Sequence, residues 1–344
     1  MSRWFNKTLF FKDWAFVKWL TLFVTLEFAA IWIISFSSYI SDIQSGIGCF
    51  SKSHSYEVQP WQLTFQGDFV NGSVMVIFIT LVLLPIFIIG NDKQNSRYEI
   101  LTVMPFKREE IIFTKWLTSV VVIFVSQLSM VVLSVFMFQI NKSIVSQYNN
   151  VSSILQWFLI LFLISVIMIT FIMIIQCVCG SIVAGGIIGL ISIIIPSVWN
   201  TGIYSIQYVF KGSSISAMIF NIDMFFQGIL TGYSIIDIDL LQRNHSLLQL
   251  LIEALIQILI LLILLILIFK KMKLENMGNL IIFKTAEYIL RVCIVISVML
   301  LFAPLGISEG EAQGIALIRM IINIIISGVL AHFILDKVIK RVNK

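Results

Sequence analysis

Charge is what this chain has least of. Of its 344 residues only 12% are Asp, Glu, Lys or Arg, about half the share of a soluble domain, which runs near ~25%. Histidine (3), cysteine (4) and proline (5) are also scarce. Each shortage excludes something. A chain with so few charges has too little polar surface to face water on all sides, so a soluble globular domain is excluded. The histidines stand far apart at His54, His245 and His332, and no HExxH occurs, so the histidine count gives no zinc centre. Cys49, Cys177, Cys179 and Cys293 form no disulfide framework, and the Cys177-x-Cys179 pair reads as packing. No GxxxxGK[ST] phosphate loop is present, so this chain has no such cradle for ATP phosphates.

What the chain has in excess is apolar residue, 59% of the total, gathered in long runs. A hydrocarbon core of roughly 30 Å takes about 20 helical residues to cross. In lipid every backbone polar group must be satisfied within the segment, so such runs are helices; they lack the alternation of a barrel strand. The expected fold class is therefore all-α: a polytopic membrane protein of about eight transmembrane helices. The spans fall near 18–40, 73–90, 116–139, 154–178, 182–203, 247–269, 288–305 and 313–335. The first is too long for a cleavable signal and is expected to stay in the mature protein.

Orientation follows from the loops. With the N-terminus cytoplasmic, the inner segments hold Arg3, Lys7, Lys12, Lys18, Lys93, Arg97, Lys107, Arg108, Lys115, Lys270, Lys271, Lys273, Lys284, Arg291, Lys337, Lys340, Arg341 and Lys344. The outer segments hold only Lys52, Lys142, Lys211 and Arg243. This is the positive-inside pattern repeated loop by loop, and it predicts both termini in the cytoplasm. The net charge of +5 is accounted for in the same way and points to no nucleic-acid partner. Membrane lipids are the expected surroundings.

The N-terminal stretch mixes aromatic and basic residues and reads as an interfacial lead-in helix, held at the headgroups by Trp4, Trp14 and Trp19. Between the fourth and fifth spans lies a tight uncharged turn, Cys179-Gly180-Ser181. Gly185, Gly186 and Gly189 follow at close to helical-turn spacing, which suits close helix packing and equally a mobile gate; Pro196 is expected to kink that span. Segment 204–246 is too interrupted to span alone and reads as a re-entrant or interfacial pair of helices.

The longest charged stretch is 91–116, NDKQNSRYEILTVMPFKREEIIFTKW. A short helix through Tyr98 to Val103 must end near Met104, because Pro105 disfavours helical geometry in the residue before it. A second helix begins after Pro105, with Glu109 and Glu110 in its first turn where acids complement the helix dipole. Ile100, Leu101, Val103 and Met104 beside charged neighbours suit docking into a groove on a soluble partner, or a loop lying on the headgroups.

The pattern Arg97-x-Glu99-x-Leu101-Thr102-x-x-Pro105-x-Lys107-Arg108-x-Glu110-Ile111, with Lys115 opening a span, resembles the cytoplasmic loop of type 2 ABC transporter permeases, the transmembrane subunits of mostly bacterial exporters. The likeness covers residues 1 to about 270 in architecture and about 97–115 in motif. It implies a six-span permease-like core, residues 1–270, followed by an added two-span hairpin and cytoplasmic tail, 271–344. It implies a coupling helix that contacts an ABC ATPase subunit, with Arg97, Glu99, Leu101, Pro105, Lys107, Arg108 and Glu110 as the coupling residues. It further implies a second permease chain, in a homodimer or heterodimer, and residence in the bacterial cytoplasmic membrane. ATP and Mg would then belong to the separate ATPase, and this chain would be no enzyme and bind no cofactor itself.

Ionisable residues inside spans are costly and are candidates for function or pairing. Glu27 lies in the first span and is read as facing the transport path or pairing across the bundle. Arg319, in the eighth, is read as snorkelling outward, meeting Glu309 or Glu311, or contacting substrate. Their different depths argue against a direct pair. Glu253 and Glu287 lie near span ends, and His332 reads as interfacial. The competing functional readings are an ion-gradient-driven secondary transporter, which would show convergent intramembrane acids, and a non-transporting regulatory subunit. An intramembrane protease is disfavoured: Glu109-Glu110 has no correctly spaced Arg, and His332 stands alone among the later spans.

Overall fold

The structure is a computed structural model that describes residues 6–45, 80–94, 106–146, 151–209, 247–272, 281–306 and 313–342. Regular structure among these residues is helical; the one β-type contact is an isolated antiparallel bridge between Cys179 and Ile281. The helices are α1 (Lys7–Ser45), α2 (80–94), α3 (Arg108–Ile140), α4 (Val151–Val178), α5 (Ile182–Val209), α6 (Leu247–Lys271), α7 (Lys284–Phe302) and α8 (Gln313–Val342). A single turn, Lys142–Val145, follows α3. Among the described residues six helices, α1, α3, α4, α6, α7 and α8, are long and apolar enough to cross a membrane, and shorter apolar stretches lie at Thr80–Gly90 and Ile182–Ile193. The chain is a multi-pass helical membrane protein.

The expected lead-in helix and first span are one continuous helix. Asn6 accepts the Thr8 backbone N–H at 3.0 Å and starts α1. From there to Ser45 no Gly or Pro interrupts 39 residues. At about 1.5 Å per residue this is nearly twice a hydrocarbon core. The first turns therefore lie outside the apolar layer, where Lys7 and Lys18 rest over the rings of Phe11 and Trp19, each at 5.8 Å. Segments 46–79, 95–105 and 210–246 fall outside the described residues. So do the expected short helix at Tyr98–Val103 and the re-entrant pair at 204–246, apart from the end of α5.

The chain divides into two compact units, Met1–Cys177 with Ile235–Lys271, and Val178–Ser234 with Met272–Lys344. In the first, α1 lies along α3 in the most extensive helix contact. The buried face of α3 carries small polar residues: Thr118, Ser119, Ser126 and Ser134. Each hydroxyl bonds a carbonyl one turn back, at 2.9, 3.0, 2.8 and 2.6 Å. The hydroxyls thus cost little in an apolar interior, while their small size lets backbones approach. Cross-links between helices come from Thr25–Ser126 (3.1 Å), Trp116 Nε1 donating to Thr170 Oγ1 (2.9 Å) and Gln127 Nε2 donating to Ser165 Oγ (2.8 Å).

In the second unit α5 and α8 pack on α7. Ser181 opens α5 by accepting the Ala184 N–H on its hydroxyl at 3.1 Å. The tight turn expected at Cys179-Gly180-Ser181 is there. Ile282 N–H donates to Val178 O at 2.8 Å, pairing that turn with the strand-like residues before α7. A Cβ on Gly202 would stand 2.8 Å from Leu300 Cβ, so this glycine sets the closeness of α5 to α7. Trp199 Nε1 donates to Ser297 Oγ nearby at 2.8 Å.

Candidate functional site: charged ends of the membrane helices

Within the first unit, charged side chains link five helix ends. Lys115, in the second turn of α3, is only 2% exposed. Its Nζ lies 2.5 Å from Asp92 Oδ2 on α2 and 3.6 Å from Asp13 Oδ1 on α1. Lys12 Nζ adds contacts to Asp92 at 3.7 Å and to Asp13 at 3.9 Å. Two lysines and two aspartates make the cluster neutral. That offsets part of the desolvation cost, which for single buried ions runs to several kcal/mol each.

A break in α2 completes the lysine's shell. Pro85 cannot donate a backbone hydrogen bond, and the next five residues, Ile86–Gly90, form a π-helical turn. Ile88 O accepts a bond from Lys115 Nζ at 3.0 Å. Lys93 reaches the end of α4, donating to Gln176 O. Near the start of α3, Arg108 Nη1 donates to Lys270 O at 3.1 Å, and Lys270 pairs with Glu109. Cations thus sit on the carbonyl-rich C-terminal ends of α4 and α6, where the helix dipole favours them.

The start of α1, the end of α2, the start of α3 and the ends of α4 and α6 are therefore one neighbourhood. Segment 95–105 leaves this cluster at α2 and returns to it at α3. Of the expected coupling residues, Arg97, Glu99, Leu101 and Pro105 lie outside the described residues. Lys107 is exposed and stands as N-cap of α3 without a side-chain cap bond; Arg108 and Glu110 are half-buried in the first turn, where Glu109 and Glu110 were expected. The two ends of the stretch 91–116 are not solvated. Asp92, Lys93 and Lys115 are 3%, 9% and 2% exposed and are spent on helix-to-helix ties. The signal for this was present but weak: Asp13 and Asp92 are acids in segments otherwise rich in lysine.

The intramembrane candidates separate. Glu27 is half-buried on α1, and its carboxylate accepts the Thr80 hydroxyl at 2.7 and 2.8 Å from its two oxygens. No described Lys or Arg lies within ion-pair distance of it. An acid at a span centre costs about 3 kcal/mol, and an interhelical hydrogen bond in a membrane returns on average about 0.6 kcal/mol. Arg319 Nη1 donates to Gly306 O in the turn after α7, and Asn323 Nδ2 donates to Leu305 O at 2.8 Å; Glu309 and Glu311, the acids expected to meet Arg319, lie outside the described residues. Gly306 has φ +76°, the left-handed geometry that glycine adopts without strain. Arg291 joins Glu287 (2.6 Å) to Asp336 (3.2 Å), tying the start of α7 to the end of α8. His332 is exposed.

Among the described residues no group of three or more His, Cys, Asp or Glu is arranged to hold a metal. The chain matches no family model, no curated protein and no solved structure.

Proposed function

We propose that the chain is the permease subunit of an ATP-driven ABC exporter. It crosses the bacterial cytoplasmic membrane eight times with both termini inside. Two such chains, identical or related, line the path for a hydrophobic or amphipathic substrate. ATP and Mg are bound by separate ATPase subunits. Their closure acts on the loop 91–116, and the motion passes to the spans.

One observation carries the mechanical part of this reading. Lys115 binds Asp92 and Asp13, so the two helices that bracket the loop and the helix that opens the chain are joined at the loop's root. A push on the loop between α2 and α3 therefore moves α1, α2 and α3 together rather than bending a slack connection. The grouping of the same five helix ends also supports alternate spans with these ends on one membrane face, as the loop charges predict. The resemblance of residues 97–115 to the coupling loop supplies the identity of the pusher.

The test is a photo-crosslinking residue placed at Leu101 or Lys107 in the complex purified from its native membrane. The expected product is an adduct with a phosphate-loop ATPase, its yield changing with nucleotide. A loop labelled from the outer side of the membrane, or one free of any ATPase in an otherwise intact complex, overturns the reading.

A further inference from the structure

Glu27 differs from three other acids of the first unit. Asp13, Asp92 and Glu109 each face a lysine at the helix ends. Glu27 faces one hydroxyl, that of Thr80. Its depth follows from helix geometry. Lys18 is exposed and nine residues away along α1, which is about 13 Å at 1.5 Å per residue and close to half of a hydrocarbon core. The carboxylate is thus near the bilayer midplane if Lys18 marks the headgroups.

The surroundings say what could meet it. On one side Val24 and Phe28 are buried against the bundle. On the other, Phe23, Ala30 and Ile34 lie at the i−4, i+3 and i+7 positions, and all three are exposed. The acid therefore opens onto an apolar ridge of α1 instead of a sealed core. One hydroxyl is the polar group that meets this carboxyl among the described residues, and intramembrane acids of this kind mark the paths of charged ligands. A ligand that answers it carries a positive group, and an apolar chain to lie along Phe23 and Ile34.

We propose that Glu27, oriented by Thr80, is the seat for the ammonium group of a cationic amphiphile within the membrane. The substrate class proposed above is thereby narrowed from hydrophobic or amphipathic molecules to those bearing one positive charge; this step rests on the transport reading. Thr80 keeps the carboxylate aimed, and the α1 ridge takes the tail. No bond is made or broken.

The probe is decylammonium, with decanol as its neutral counterpart, offered to the full chain in phosphatidylcholine nanodiscs and measured by equilibrium dialysis against empty discs. The wild-type chain is expected to take up decylammonium saturably and more tightly than decanol. Glu27→Gln is expected to weaken decylammonium by at least about tenfold, that is ~1.4 kcal/mol, and to leave decanol unchanged. Glu27→Leu, which suits the lipid, reads the same way should the amide variant not fold. Because this measurement needs no ATPase, it separates the two readings. Loss of cation binding in the variants with no ATPase on the chain keeps the seat and removes the exporter. ATPase adducts at Lys107 with decylammonium binding unchanged in Glu27→Gln, or unsaturable in the wild type, overturn the seat.

Discussion

Lys115 and Asp92 form an ion pair at 2.5 Å in which both side chains are almost fully removed from solvent. The pair links α2 to α3, and Asp13 extends it to α1. Removing one partner from such a pair leaves an uncompensated charge and typically costs about 3–5 kcal/mol. Lys115→Met is therefore expected to lower the midpoint of thermal unfolding in detergent sharply. Asp92→Asn should cost less, because Lys115 keeps Asp13 and Ile88 O. Equal, small effects of both would mean that the cluster does not hold the helices together.

The first turn of α3 separates structure from coupling. Glu109 pairs with Lys270, whereas no ion pair engages Glu110 or Lys107 among the described residues. Lys107→Glu should leave thermal stability within about 0.5 kcal/mol, as expected for a surface change, and Glu110→Lys should cost up to about 1 kcal/mol through the helix dipole; in the proposed exporter both should abolish stimulation of the ATPase by substrate. Arg97→Glu and Glu99→Lys are expected to act alike. Normal coupling in all four variants removes the loop from the mechanism.

Two glycines of the second unit predict different costs for the same change. At Gly202 a Cβ meets Leu300 Cβ at 2.8 Å and Leu300 O at 3.0 Å, so backbones must part. At Gly328 the obstacle is the end of the Met299 side chain, which can turn away. Gly202→Ala should destabilise by about 1–3 kcal/mol and Gly328→Ala by less. Denaturation of the purified variants reads the difference, and the reverse order would refute this account of the α5–α7 contact.

Arg319 donates to Gly306 O in the turn that follows α7. Arg319→Met should cost about 1 kcal/mol through the lost bond to Gly306 O and the helix end. Transport by the folded variant should be retained. A folded variant with transport abolished would assign Arg319 to the path instead.

Sidedness is tested by single cysteines in a background with Cys49 replaced by Ser. Lys142→Cys is expected to react with a membrane-impermeant maleimide on intact cells, and Lys107→Cys only after lysis. Both positions are exposed, so burial does not explain a failure to react. The opposite pattern would reverse the topology.

Much of the helical layout was open to reading from the chain itself. A run such as 247–271 has no structure other than a helix available in lipid, since nothing else satisfies its backbone. The start of α3 after Pro105 and the turn before Ser181 were legible too, because dipole-matched acids, proline and glycine act locally. The merger of the lead-in with α1 was not, since no local break separates an interfacial helix from a span when the axis simply continues. Nor was Gly202: the sequence draws the eye to Gly185, Gly186 and Gly189, and only the course of α7 brings Leu300 against another position.

The sequence by itself determined that the chain lives in a membrane as helices, and which segments carry its charges. Hydrophobic runs and scarce charge decide that, because transfer of backbone and side chains into lipid depends on composition and length alone. Tertiary structure decided which charges are spent in pairs and which stand open. Lys115 and Lys107 look alike in the chain; one is buried between two aspartates and the other exposed, because only the packing of α1 and α2 against α3 brings Asp13 and Asp92 within reach. Among the described residues the same packing leaves Glu27 with Thr80, since Lys12 and Lys115 are engaged by Asp13 and Asp92 about 20 Å farther along α1.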